Sequence, residues 1–243
     1  SLMLWGIQWH AGLQKLLSFL ADLKLQWLWI ALAVAGVVTV ALFWSGRCKF
    51  KAAVAASIFV SGAIEMVLQV VFLLSFQIMA GFVYRQLALI IAFFMTGLAM
   101  GAGWIARRYP YQSNVLATRA RFIRVQALVC GLPLGLMLLL PLVQGEIRNY
   151  FSPAAMSSLF SSLSLITGIL GGVHFALAVI VMAGTGVALE KIGGGFYALD
   201  LAGAAAGVLM ATLFIIPIYG IMNTLILLST LSGISLLTLL RQP

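Results

Sequence analysis

Read for apolar and polar positions, the chain alternates long apolar runs with short polar breaks. Crossing the ~30 Å hydrocarbon layer takes about 20 apolar residues in a helix. Seven runs reach that length, near 25–45, 53–80, 87–106, 125–143, 156–189, 196–217 and 221–240. The breaks between them are too short to hold soluble domains. The pattern predicts an all-α polytopic transmembrane helix bundle of about seven spans over residues 25–243.

Residues 1–24 follow a different rhythm. Leu13, Leu16, Leu17 and Leu20 recur at helical spacing, Gln14, Lys15, Asp22 and Lys24 interrupt them, and Trp5 and Trp9 suit a headgroup zone. An amphipathic interfacial helix or linker feeding the first span is expected there. The fifth run is too long for one crossing. It starts with Ser152 as cap and Pro153 in the first turn, passes through Ser157, Ser158, Ser161, Ser162 and Ser164, and runs on toward Glu190, more than ~50 Å as a helix. It must either project beyond the bilayer or break near Gly171 and Gly172. Four glycine pairs at four-residue spacing, Gly97/Gly101, Gly131/Gly135, Gly168/Gly172 and Gly203/Gly207, predict close helix–helix contacts.

Composition sharpens the class. The 243 residues are 63% hydrophobic and 8% charged, with a mean hydropathy of +1.15, which excludes a water-soluble core. The net charge of +9 does not indicate nucleic acid, because the basic residues sit in the breaks between apolar runs. Arg47, Lys49, Lys51, Arg107, Arg108, Arg119, Arg121, Arg124, Lys191 and Arg241 fall on one side of the expected topology, and Lys15, Lys24, Arg85 and Arg148 on the other. The basic-rich side is the cytoplasmic one. The C-terminus is then cytoplasmic, and residues 1–24 lie outside. Cys48 and Cys130 are expected as free thiols, one in a polar break and one in an apolar run. Ser1 opens the chain without a signal-peptide layout, which suggests a piece of a longer polypeptide.

Against this apolar background a few polar residues stand out. Ser61, Glu65 and Gln69 are spaced i, i+4, i+8, so one face of the second run carries a polar stripe through the membrane interior. A carboxylate there costs at least roughly 2.5–3.5 kcal/mol on insertion scales. It is expected to serve as a proton or cation site, or as a structural hydrogen-bonding group. Asp200 shares a face with Gly203 and Gly207, which reads as a clasp against another helix with Lys191 or the Arg107–Arg124 loop as partner. His174, in the fifth run, reads as a hydrogen-bonded bundle histidine. A haem held by two histidines would need His10, which lies in the external segment. There is no phosphate-binding loop, no Gly-x-Ser-x-Gly and no metal-spaced Cys/His cluster. No catalytic residue, cofactor or metal is implied.

The segments SGAIEMVLQVVFLLSFQ, GFVYRQLALIIAFFMTGLAMGAGWIAR, GGVHFALA and YALDLAGAAAGVLMATLFIIPIYGI resemble the membrane part of bacterial spermidine-synthase-like membrane proteins, in which a transporter-like half is fused to a synthase. The shared features, in order, are Glu65, Phe76 with Gln77, Phe94 to Gly101, Gly171 to Ala178, and Tyr197 to Gly207 with Pro217. They cover residues 57–220. Ala176 stands where the family pattern has Pro, which favours a straighter helix there.

On that resemblance the chain is the C-terminal membrane half, without the synthase domain. The implied function is a non-catalytic domain of the bacterial inner membrane that anchors or assembles a larger complex, its partners being the lipid bilayer and other subunits or an upstream synthase-like domain. An alternative is a transporter half moving polyamine or another cation through a cavity containing Glu65, Gln69 and His174. A second is the anchor of an active aminopropyltransferase whose catalytic domain lies elsewhere. An upstream domain joined to an external residue 1 would be periplasmic, where decarboxylated S-adenosylmethionine is not expected.

Overall fold

A computed structural model describes residues 50–81, 84–109, 115–145, 152–184 and 189–241. Among these, all regular structure is helical: α1 (Phe50–Ala80), α2 (Tyr84–Arg108), α3 (Val115–Gln144), α4 (Pro153–Ala183), α5 (Leu189–Met210), a π-helical turn (Ala211–Ile215) and α6 (Ile216–Leu240). In an apolar solvent the backbone must satisfy its own hydrogen bonds, and helices do so within one segment.

Five described helical stretches are long and apolar enough to cross a membrane, which corrects the expectation of about seven. The run at 25–45 and the interfacial helix expected over 1–24 lie outside the described residues. The last two expected runs are joined in one stretch, Glu190–Leu240.

That stretch is not straight. Gly220 takes φ 78° and ψ 172°, a backbone conformation that side-chain-bearing residues rarely adopt. Residues from both sides of it line the same cavities: Gly207 and Ile215 with Thr224 and Leu231, and Leu199 with Ile234 and Thr238. A straight helix would hold Leu199 and Ile234 roughly 50 Å apart. The chain therefore doubles back at Gly220, and α6 runs antiparallel to α5. Pro217, which offers no N–H to the carbonyl four residues back, follows directly on the π turn that loosens this part of α5.

α4 is a single unbroken helix through Gly171 and Gly172, so the break considered there does not occur. The run stops at Ala183 with Gly184 as its cap, short of the expected residue 189. Its start is as expected, with Ser152 Oγ accepting from Ala155 N–H at 3.2 Å.

α1 is the central helix. Of its most apolar stretch 67% is buried, against 28% in α2 and α3. It packs on α5, α4 and α6, while α2 packs overwhelmingly on α4 and α3 on α6 and α4. Large apolar side chains such as Phe93, Met100, Trp104, Leu138 and Leu209 face outward, as a lipid-exposed surface requires.

Three of the four glycine pairs lie in helix–helix contacts. Gly97 and Gly101 press on the α4 main chain at Leu165 and Ile169, while Gly168 and Gly172 press on the α2 main chain at Phe94 and Leu98. Gly203 and Gly207 meet α1 at Phe59 and Ala63. The Gly131/Gly135 pair does not: both are open on the outer side of α3, where they line an apolar groove of about 540 Å³ between α3 and α4, floored by Phe72.

Apart from Arg85, the basic residues of the described helices gather at one end. The Arg119 guanidinium lies 4.7 Å from the Phe50 ring centroid and that of Arg121 4.4 Å from Tyr109. These contacts hold the starts of α1 and α3 and the end of α2 together.

Candidate functional site

The polar stripe read from the second apolar run is an internal column on α1. Ser57, Ser61, Glu65, Gln69 and Ser75 are all buried on a helix whose other inward positions are apolar. From Ser57 to Ser75 the column rises about 27 Å, most of a hydrocarbon layer. α4 supplies the facing wall with Ser157, Ser161, Ser164 and His174, all buried. Ser158 and Ser162, one position further round, face outward and bond back to the carbonyls of Ala154 and Ser158.

Glu65 stands at the midpoint of the 31-residue α1 with 6% of its surface exposed. Its carboxylate lies directly on Gly171 of α4, where a Cβ would collide with it. The sequence stripe brings Ser61 to the same face, but Ser61 Oγ donates to the Ile58 carbonyl at 3.0 Å and so does not serve Glu65. Among the described residues no hydrogen-bond donor reaches the Glu65 carboxylate.

Across from this part of α1 stands Asp200 of α5. Its Oδ1 and main-chain oxygen lie against Gly62, one turn from Glu65 along α1. Asp200, Gly203 and Gly207, expected as a clasp, lie on a face of α5 packed on α1. Its partner is the bare backbone of Gly62 rather than Lys191 or an arginine, because close approach of two main chains leaves no room for a long basic side chain.

Two hydrogen-bonded clusters flank Glu65. Toward the middle of α4, Ser164 Oγ lies 2.8 Å from both Gln69 Oε1 and the Ile90 carbonyl. One hydroxyl hydrogen serves one acceptor. Turning the Gln69 amide so that its nitrogen donates to Ser164, and Ser164 to Ile90, joins α1, α4 and α2 in one chain of bonds. Toward the basic end, Ser57 Oγ lies 3.0 Å from Gln126 Oε1 on α3 and 3.3 Å from His174 Nε2. The His174 ring is stacked on Phe122 at 4.8 Å.

His174 thus takes the place expected for it, as a hydrogen-bonded histidine of the bundle interior. Sequence reasoning missed its partner Ser57, the Gln126 bonded in turn to Ser57, and also Gly62 and Gly171. Ser57 extends the i, i+4 series of Ser61 and Glu65 backward by one turn, a signal present in the chain. Gln126 and the two glycines carry none, since their roles come from contacts between distant segments.

This arrangement defines an all-helical membrane-type bundle with a polar column through its interior. No family model, curated protein or solved structure matches the chain.

Proposed function

We propose that this chain is the non-catalytic, membrane-embedded domain of a larger assembly in the bacterial inner membrane, and that a transmembrane helix of a partner subunit docks in the α3/α4 groove. The observation that carries this reading is the open Gly131/Gly135 pair. The other three pairs of this spacing each receive a helix, and this one faces outward over a groove of about 540 Å³ lined by apolar side chains. The resemblance to spermidine-synthase-like membrane proteins supports the same role, with a synthase-like domain as one candidate partner.

A Cβ at Gly131 meets nothing within 4 Å, so a leucine there has open space to project into the groove. Gly131→Leu is expected to leave the thermal unfolding midpoint in mild detergent unchanged while stripping a stoichiometric partner from the gently purified native complex. Equal partner content in both proteins would refute the docking site.

Placing the basic end in the cytoplasm belongs to the same proposal. Single cysteines near Arg107 are expected to react with a membrane-impermeant maleimide only after the inner membrane is opened. Labelling in intact spheroplasts would invert the orientation.

The transporter alternative draws support from Glu65. A polyamine would need a passage beside it, however, and Glu65 lines none of the described cavities of about 540, 410 and 190 Å³.

A further inference from the structure

The polar column contains more hydrogen-bonding capacity than the protein uses. Gln126 Nε2 and His174 Nδ1 have no partner, and one end of the Gln69 amide is left without one whichever way it is turned, although all three side chains are buried. Buried polar groups are normally satisfied by protein or by ordered water. Three unpartnered side chains on three helices, grouped around one unpaired carboxylate, therefore mark a site whose ligand is small and polar. The Glu65 carboxylate is closed on one side by Gly171, which it touches directly.

We propose that Glu65 is a proton-binding site, and that its proton exchanges with the basic end of the bundle through buried water, His174 and Ser57, with Gln126 holding Ser57 in line. An unpaired carboxylate at lipid depth is stable as the neutral acid, because isolated charges in such surroundings take up or lose protons rather than remain buried.

The facing groups agree with this assignment. α5 contributes Asp200, a second acid, and α4 contributes His174. The charged residues of α2 are Arg85, Arg107 and Arg108 at its ends, those of α3 are Arg119, Arg121 and Arg124 in its first ten residues, and that of α6 is Arg241 at its terminus. Lys51 of α1 and Glu190 and Lys191 of α5 stand at helix starts, and among the described residues no base pairs with Glu65.

His174 is the natural relay. It lies about one turn, ~4.5 Å, from Gly171 along α4 in the direction of the basic end. A proton accepted at its unpartnered Nδ1 is balanced by one released from Nε2 to Ser57 Oγ, and the ring returns neutral in its other tautomer. Ser57, on receiving that proton, gives up the hydrogen it had directed at Gln126 Oε1 to buried water on the side of the basic end, one released for each received.

Infrared spectroscopy of the chain in liposomes reads the site directly. The wild type is expected to show the carbonyl stretch of a protonated carboxylic acid at neutral pH, and Glu65→Gln to remove it. Asp200→Asn, which keeps Glu65, is expected to move that band, which also covers the case in which Glu65→Gln does not fold. In deuterated buffer the band is expected to shift as the proton exchanges. His174→Phe keeps the ring stack on Phe122 and removes both nitrogens. It is expected to slow the exchange about a hundredfold, the lower end of what a positioned proton-transfer group supplies.

A wild type without the band, or a band that survives Glu65→Gln, overturns the proton site. Exchange at the wild-type rate in His174→Phe overturns the relay. The band is expected to persist in Gly131→Leu, so this inference and the assembly reading fail separately.

Discussion

Gly101→Ala, and with it Gly168→Ala, is expected to prevent most of the chain from reaching its folded state. A Cβ on Gly101 would fall on the main-chain carbonyl of Ile169, and one on Gly168 on that of Phe94. Neither obstacle is the flexible end of a side chain, so α2 and α4 would have to separate along their length. Overpacking usually costs about 1–3 kcal/mol. Here it also removes the main attachment of α2 to the bundle, so the loss should exceed that range. The yield of monodisperse protein on size exclusion, with the unfolding midpoint of whatever survives, measures it. Gly135→Ala is the control. Its Cβ meets nothing, and yield and midpoint should match the wild type.

The second large effect centres on Gly171→Ala. The new methyl group would occupy the space of the Glu65 carboxylate and of nothing closer. Glu65 would have to leave its position for surroundings that offer no hydrogen bond, and a destabilisation of roughly 1–3 kcal/mol is expected. The obstacle is one side chain, so the loss should be reversible. In Gly171→Ala with Glu65→Ala the methyl gains room, and the double variant should be more stable than the sum of the single changes predicts. A double-mutant cycle on unfolding midpoints gives the coupling, expected within the ~0.5–3 kcal/mol range of contacting residues. Strict additivity would mean that the two residues do not touch.

Much of the bundle was legible before any coordinates. Apolar runs of membrane length mark helices because lipid leaves the backbone few other options, and Ser152 with Pro153 marked the start of α4 to the residue. The count of spans was not legible in the same way. A helix that turns back at Gly220 with a single non-helical residue reads as one segment by hydrogen bonding and as two by side-chain contact.

At the candidate site the α1 half was readable, because Ser61, Glu65 and Gln69 repeat along one local face. The other half was not. Gly171 lies on a different helix far along the chain, and nothing about a glycine announces which side chain it will accommodate. Two glycine-containing segments of the sequence acquire a physical meaning here. Phe94 to Gly101 forms the α2 side of its contact with α4, and Asp200 to Gly207 the α5 side of its contact with α1. Both are packing surfaces, so their small residues at four-residue spacing disclose a helix contact and no chemistry.

The attachment of α2 to α4 has a consequence for biosynthesis. α2 hardly touches α1, its neighbour in sequence, so it has little to dock on when it leaves the ribosome. The second of its glycine partners on α4, Gly172, is made about sixty residues later, a wait of roughly 3–13 s at ordinary translation rates. Throughout that interval the glycine face of α2 must be covered by lipid or by the insertion machinery, and the bundle closes only when α4 arrives.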